Sequence, residues 1–303
     1  MAHVSVFGGG TCNTEYDFLT GSSSVMLRPG SYPMVQFLSG DMPSIAQTLR
    51  QSGYRTVGIH PFYPDGWNRD QAYPKLGFDR FYSIDDFQEP ALLREYISDR
   101  ESFRKVYEVL EQSDQPAFIF NVTMQNHFGY DKAFENLTEE AVFPEMEEFP
   151  QTRRYLSLIS HTDRAVQELI TALQKRTRPT IVLFFGDHLP AIEEEYYQIL
   201  QERAGLSDEQ MNEKKHMVPF FIWANFSIKA QQNLDLSASF LSPLLLDVAG
   251  APMSSYQCYL RRLMQKMPIL QNDKHALEHE YKIVQHNMVF DLLGRQNDLF
   301  YIR

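Results

Sequence analysis

The stretch Thr180-Ile-Val-Leu-Phe-Phe-Gly-Asp-His-Leu-Pro190 decides how this chain is read. Its first six residues are apolar almost without interruption. That is the pattern of a short strand in a parallel sheet, covered on both faces. Gly186 ends the run and lets the backbone turn, and Asp187 and His188 follow. A carboxylate and an imidazole converging at a strand end make a candidate divalent-metal pair. An Asp capping a helix beside an exposed His is the other reading of the same residues.

Outward from this stretch, strand and helix patterns alternate. His3–Phe7 reads as a short strand running into Gly8-Gly9-Gly10, and Thr11, a good N-cap residue, opens a helix to about Leu19. A helix over Ser44–Gln51 stops at Gly53, and the β-rich run Arg55–His60 follows. A helix over Glu101–Gln112 precedes the strand Ala117–Met124. The longest helical pattern, Thr152–Lys175, precedes Thr180–Phe185. Val218–Ala224 is a further strand, weakened at its start by Pro219, and Ser237–Ala249 is helical. Lys282–Ile302 reads as a hairpin turning near Leu293-Gly294. Strands separated by helices predict an α/β fold with a mostly parallel central sheet flanked by helices. No repeat or low-complexity tract divides the chain, so residues 1–303 are expected to form a single domain.

Hydrophobic residues at 43% and charged residues at 22% are ordinary for a globular protein. No apolar run is long enough to span a bilayer. The net charge of −11 argues against nucleic-acid binding and against a broad grip on anionic lipid. A site for phosphate therefore needs local positive charge, from a metal ion, an Arg or a few His. Cys12 and Cys258 fit no zinc or redox spacing, and whether they pair is open. Met1-Ala2 runs straight into the first strand, which reads as the edge of a larger protein.

In open parallel sheets, ligands sit beyond the carboxyl ends of the strands. After the first strand, Gly8-Gly9-Gly10 permits close backbone approach, and the following helix N-terminus aims amide N–H groups at an anion. A hydroxyl at Thr11 is placed to attack phosphorus if a metal lowers its pKa. An ordinary capped helix after a flexible loop fits the same residues. After the second strand, His60-Pro-Phe-Tyr-Pro-Asp-Gly-Trp67-Asn-Arg69 offers an aromatic wall with a guanidinium fork suited to phosphate. A loop-anchoring Trp and an Arg paired to Asp70 fit it too. After the third strand comes His127, a candidate proton donor or substrate ligand and otherwise a structural His. His161, His216, His275, His279 and His286 show no ligand pattern and are expected to be packed or solvated.

Taken together and in this order, these pieces resemble the catalytic domain of the lipoteichoic acid synthases and related phosphoglycerol transferases of the alkaline phosphatase superfamily. In that family a Thr within a Gly-x-Thr-Ser-Asp-x-Glu-like segment is the nucleophile and a metal ligand. Gly9-Gly10-Thr11-Cys12-Asn13-Thr14-Glu15 matches it, with Thr11 in the nucleophile position. The family's Asp-His metal pair matches Asp187 and His188. Its substrate-phosphate residues match His60, Trp67, Arg69 and His127. Two positions depart. The family's further metal ligand, a Glu on a strand upstream of the nucleophile, has no counterpart within the chain, so the first strand unit is expected to be missing. An acidic residue usual two positions after the first His is Phe62 here. Cys12-Asn-Thr-Glu-Tyr16 does not match the Cys-x-Pro-Ser-Arg segment of sulfatases.

The resemblance implies an alkaline-phosphatase-like fold holding one Mn²⁺ or Mg²⁺ ion. It implies transfer of glycerol phosphate from phosphatidylglycerol to a polyglycerol-phosphate acceptor through a phospho-threonine. It also implies a catalytic domain outside a Gram-positive-type cell membrane, tethered by segments absent from this chain. The rivals are a phosphoglycerol or phosphoethanolamine transferase or phosphodiesterase with another acceptor, and a degenerate glycerophosphate-binding domain.

Overall fold

Short β-branched and aromatic runs bounded by Gly and Pro form the strands of this chain, and amphipathic stretches between them form the helices. The computed structural model describes residues 1–112, 114–271 and 276–290. The order is β1 (Ala2–His3), α1 (Thr11–Thr20), α2 (Pro33–Gln36), α3 (Ile45–Gln51), β2 (Arg55–Ile59), α4 (Arg69–Lys75), β3 (Arg80–Tyr82), β4 (Leu92–Leu93), β5 (Tyr96–Ile97), α5 (Asp99–Glu111), β6 (Ala117–Asn121) and α6 (Pro150–Gln174). It continues through β7 (Ile181–Phe185), α7 (Glu194–Ala204), α8 (Asp208–Lys215), β8 (Met217–Val218), β9 (Phe220–Ala224), β10 (Leu236–Ser237), α9 (Leu241–Ala249), α10 (Ser255–Lys266) and α11 (Ala276–Phe290).

β2 lies between β3 and β6, parallel to both, with Arg55 opposite Ala117 and Ile59 opposite Asn121. Helical crossovers make this ladder, since parallel neighbours need long connections. β7 departs from the parallel pairing that its apolar run predicts. Its partner is antiparallel β9, with Ile181 opposite Ala224 and Phe185 opposite Phe220. The predicted strand Val218–Ala224 is split at Pro219. β8 pairs with β1, whereas β9 pairs with β7. Proline has no N–H to give a ladder, so the switch of partner falls there. The first strand is shorter than predicted, ending at His3 before the glycine turn.

The predicted C-terminal hairpin is corrected over its first half. Ala276–Phe290 is helical, with Tyr281, Gln285, Met288 and Val289 buried. Their spacing is that of one helix face, a signal that the Gly294 turn outweighed in the sequence reading. The proposed turn at Leu293-Gly294 lies outside the described residues. Tyr281 donates from its hydroxyl to Gly21 O at 2.9 Å, and the Gln285 amide brackets Ser23.

α1 is the axis of the main core. Every residue from Cys12 to Thr20 is buried, although several are polar. Such a helix is stable only if each polar group finds a partner. Thr14 donates to Asp187 O at 2.7 Å, Thr20 to Tyr16 O at 2.7 Å, and Asp17 accepts from the Ser24 amide and hydroxyl at 2.7 and 2.6 Å. Glu15 is held by Arg69 and Tyr73. The apolar side chains of α1, Phe18 and Leu19 among them, pack with α3, α9, α10 and α11.

Candidate active site

Gly10 caps α1 at φ +90°, a left-handed conformation that disfavours any side chain, and a Cβ there would also meet Val6 at 3.1 Å. This turn delivers Thr11 to the first position of the helix. Across from it, the turn after β7 delivers Asp187 and His188. The two loops are tied by Gly8 N–H to Leu189 O at 2.9 Å and by the Thr14 bond to Asp187 O.

Three donor atoms meet here. Thr11 Oγ1 lies 2.6 Å from Asp187 Oδ2 and 3.4 Å from His188 Nε2, and those last two atoms are 3.2 Å apart. His188 Nδ1 is 3.0 Å from Leu189 O. A carbonyl only accepts, so Nδ1 carries the proton and, in the neutral ring, Nε2 turns a lone pair toward the carboxylate. A lone pair facing a carboxylate oxygen at that distance is favourable only with a proton or a cation shared between them. Ligand atoms around a metal with bonds of about 2.1 Å stand roughly 3.0–3.4 Å apart. The two edges to His188 Nε2 fall in that range, and the Thr11–Asp187 edge of 2.6 Å is a hydrogen bond that a bound ion would open. The triangle has the oxygen-plus-imidazole chemistry of a divalent site. It supplies three of the roughly four to six ligands such ions take. Among the described residues no group of three or more His, Cys, Asp or Glu side chains is arranged to hold a metal, because here the third donor is a hydroxyl.

Arg69 opens α4 and is 1% exposed. Its Nε is 3.1 Å from both carboxylate oxygens of Glu15, Nη2 also donates to Glu15, and Nη1 donates to Gly66 O at 3.0 Å. Asp70, the partner in the alternative reading of this loop, is not used and instead binds Gln71. Tyr73 completes the set, its hydroxyl 2.7 Å from Glu15 Oε2. Tyr73 reaches that point because Gly58 of β2 leaves room for its ring, where a Cβ would come within 2.5 Å. Arg69 and the hydrogen bonds hold the buried Glu15 below the usual carboxylate range against the opposing effect of burial, and Glu15 holds Arg69 charged.

His60, at the end of β2, is buried, with Nδ1 2.9 Å from Val122 O. Burial and the neighbouring Arg69 push its pKa down to about 4, so it is neutral near pH 7. His127 sits past β6, half-buried, with Nδ1 3.3 Å from the Tyr96 hydroxyl. Its pKa is lowered by burial, then by Arg94 and His188. Trp67 is 37% exposed at φ +55°, its ring tilted against Tyr32 with centroids 4.9 Å apart, and Asn68 beside it has φ +60°. Consecutive left-handed residues without glycine are strained, each by roughly 1–3 kcal/mol. Phe62, in place of an acidic residue, sets its ring 6.1 Å from His60.

One cavity is bordered by Thr11, His60, Trp67, Arg69, His127, Asp187 and His188 together. The sequence reading did not find Arg94. On the β4–β5 hairpin, at φ +56°, it donates to Gln125 O at 2.7 Å and to His127 O at 2.6 Å, and so fixes the loop that carries His127. Two-residue strands have no periodicity, and an Arg that reads backbone carbonyls leaves no motif. Glu15 was visible in its motif but not as the partner of Arg69.

The α/β fold is alkaline-phosphatase-like, and it sets the Thr11 hydroxyl at a helix N-terminus facing the Asp187-His188 pair at a strand end. The chain belongs to the sulfatase family, whose model, described as Sulfatase, matches residues 1–251. The curated proteins it resembles include lipoteichoic acid synthases. It is 30% identical over 94% of its length to a putative cyclic beta-1,2-glucan modification protein of Rhizobium meliloti, covering 48% of that protein. It is 26% identical over 52% of its length to the lipoteichoic acid synthase of Staphylococcus saprophyticus, covering 24% of it. The fold matches that of Streptococcus pyogenes phosphoglycerol transferase GacH in complex with sn-glycerol-1-phosphate, with a TM-score of 0.72 at 22% identity, over 99% of this chain and 78% of that one. The chain thus spans about half the length, or less, of these curated relatives.

Proposed function

We propose that residues 1–303 form the catalytic domain of a metal-dependent phosphoglycerol transferase in which Thr11 is the nucleophile. The observation that carries this reading is the Thr11–Asp187–His188 triangle at the N-terminus of α1, with edges of 2.6, 3.4 and 3.2 Å. Thr11, Asp187 and His188 would hold one Mn²⁺ or Mg²⁺ ion. When bound, such an ion lowers the pKa of a coordinated hydroxyl and offsets charge on phosphoryl oxygens.

In this reading the Thr11 hydroxyl gives its proton to Asp187 as Oγ1 bonds to the phosphorus of phosphatidylglycerol. The bond from phosphorus to the diacylglycerol oxygen breaks, and that oxygen takes up the proton. The amides at the start of α1 face the phosphoryl oxygens. Arg69, whose Nη atoms retain N–H groups beyond those given to Glu15 and Gly66, and His127 hold the glycerophosphate, and Trp67 and His60 shape its pocket. An acceptor hydroxyl then attacks the phospho-threonine, the bond from phosphorus to Oγ1 breaks, and Thr11 recovers a proton.

Two acceptors have support. The relatives named lipoteichoic acid synthases support a growing polyglycerol-phosphate chain. The relative matched over 94% of this chain supports a glucan hydroxyl. In this reading the domain acts outside the cell membrane, which the likeness to the lipoteichoic acid synthases supports; among the described residues no helix is long and apolar enough to cross a bilayer.

The test is turnover of phosphatidylglycerol labelled in its headgroup glycerol by the longer protein with Mn²⁺. Covalent label on Thr11, absent in Thr11→Ala, is expected. Turnover near the parent level in that variant sinks the assignment. Labelling from phosphatidylethanolamine in preference would move the donor. Binding of glycerophosphate without label in the parent would leave a binding domain.

A further inference from the structure

The loop after β6 carries His127, and the two side chains before it are tied into the protein interior. Gln125 is buried and Asn126 half-buried, and with Asp99 and Thr162 they form a closed cycle of hydrogen bonds. The Asp99 backbone N–H donates to Gln125 Oε1 at 3.0 Å, and Gln125 Nε2 donates to Asn126 Oδ1 at 3.2 Å. Asn126 Nδ2 donates to Thr162 Oγ1 at 2.7 Å, and Thr162 Oγ1 returns to Asp99 Oδ2 at 2.7 Å. The cycle joins the start of α5, the middle of α6 and the loop after β6.

One group fixes the polarity of every bond. A backbone N–H only donates, so Gln125 turns its oxygen to Asp99 and its nitrogen to Asn126. Asn126 must then give its oxygen to Gln125 and its nitrogen to Thr162. The threonine hydroxyl has one proton, which goes to the Asp99 carboxylate. Its two lone pairs take Asn126 and also Gln125 Nε2, the latter at 3.2 Å. Burial raises the Asp99 pKa to about 6, against the opposing bonds from Thr162, Thr123 and Gln125, so the carboxylate is mostly ionised and accepting at pH 7. A threonine in mid-helix commonly bonds to the carbonyl four residues back. Here Leu158 O stands at 3.3 Å, and the shorter bond to Asp99 prevails. Bonds in such a buried network polarise one another, and no member turns without breaking two of them.

The cycle holds one side chain in place. Arg94 grips the backbone of the loop at Gln125 O and His127 O, and the cycle grips the side chains of Gln125 and Asn126. The His127 amide donates to Met124 O at 3.1 Å and closes the turn. His127 is left to face the cavity that Thr11 and Asp187 border, with Nδ1 3.3 Å from the Tyr96 hydroxyl and Nε2 open to a ligand. A binding group works when neighbours with locked rotamers hold it to within about 0.5 Å. Both clamps on this loop have that character.

We propose that Thr162 is a positioning residue: through Asp99, Gln125 and Asn126 it sets the reach of His127 to the phosphate of a glycerophosphate, a role that rests on the phosphoglycerol reading of the site. Its hydroxyl has no proton or lone pair left for the substrate, so it acts only through the loop.

Calorimetric titration of sn-glycerol 1-phosphate into this chain with Mn²⁺ present tests it. Thr162→Val keeps the shape and deletes the hydroxyl. It should weaken binding by ~10-fold, the scale of one lost hydrogen bond to a charged group. Thr162→Ser restores the hydroxyl and should bind within ~2-fold of the parent. His127→Ala should lose at least as much as Thr162→Val, and the double variant should lose no more than His127→Ala, because the side chain being positioned is gone. Asn126→Ala opens the same cycle at a half-buried position and should repeat the loss if Thr162→Val does not fold. Parent-like binding by Thr162→Val, or by Asn126→Ala where Thr162→Val does not fold, overturns the proposal while weakened binding by His127→Ala leaves the phosphoglycerol reading standing. Additive losses in the double variant also overturn it, since Thr162 would then act through the fold at large. Parent-like binding by His127→Ala, or no binding by the parent, overturns the glycerophosphate reading and the proposal with it.

Discussion

Arg69 and Glu15 form a buried pair across α4 and α1, with Arg69 Nε 3.1 Å from each carboxylate oxygen and both side chains almost wholly out of water. The pair does two things at once. It settles a charge inside α1, and it locks a guanidinium at the edge of the cavity. Breaking such a pair from one side leaves an uncompensated charge and costs roughly 3–5 kcal/mol. Glu15→Ala should therefore lower the unfolding free energy by that amount, read from the shift in denaturant midpoint. Glu15→Gln should lose less, because an amide oxygen still accepts from Arg69 and Tyr73. In the phosphoglycerol reading, Glu15→Gln should also weaken binding of sn-glycerol 1-phosphate by about tenfold, a factor worth about 1.4 kcal/mol. Unchanged binding with lowered stability would make the pair structural alone.

Thr11 is the side chain on which the chemical reading turns, and its substitution separates chemistry from folding. Thr11 is only part-buried and its hydroxyl partners are Asp187 and His188. Thr11→Ala should leave thermal stability within about 1 kcal/mol, since it removes one hydroxyl in a half-open site. It should lower turnover of labelled phosphatidylglycerol by at least ~1000-fold, the scale expected when a nucleophile is removed. Thr11→Ser keeps the oxygen and should retain measurable turnover. Equal loss in both variants would point to Thr11 as a positioning group.

The sequence carried the local parts of this site and not the long-range ones. Thr11, Asp187 and His188 were legible because each follows a strand and a glycine, and the chemistry of a strand end is local. The apolar run of β7 was legible as a strand, but its direction was not, since Phe185 opposite Phe220 is a pairing between residues far apart in the chain. Glu15 stood in plain sight, yet its charge could be assigned to Arg69 only when α4 was laid against α1. Arg94 left no mark because it binds backbone carbonyls. The helix Ala276–Phe290 was misread because one glycine turn weighed more than a buried helical face.

Arg94 should govern the titration of His127. It holds Gln125 O and His127 O, and its charge is the second cause, after burial, of the lowered His127 pKa. Arg94→Ala removes both restraints. The imidazole should then titrate at higher pH than in the parent, followed by NMR of the His127 ring protons, and the amides of residues 125–129 should exchange faster. In Arg94→Lys the charge remains but the fork is lost, so the titration should stay near that of the parent while the loop loosens. An unchanged His127 titration in Arg94→Ala would mean that the guanidinium is screened from the ring.

Asp17 should give the fold a dependence on pH that a single substitution removes. It lies buried in α1, and burial raises its pKa to about 7 although Ser24 donates twice to it. In the unfolded chain an Asp titrates near 3.9. Between the two values the folded state keeps a proton that the unfolded state has released. Stability from this group is therefore complete below about pH 3.9 and is lost as pH rises to the folded value, after which it is level. Three pH units correspond to up to about 4 kcal/mol. Asp17→Asn has no proton to lose. Between pH 4 and pH 8 the stability of Asp17→Asn relative to the parent should shift in favour of the variant by several kcal/mol. His60, depressed to about 4, loses stability in the opposite direction as pH falls below its unfolded value of 6.5, and it cancels in this comparison because both proteins contain it. Denaturant midpoints at the two pH values provide the measurement. A difference that does not move with pH would mean that Asp17 is ionised in the folded protein throughout, with Ser24 and its surroundings outweighing the burial.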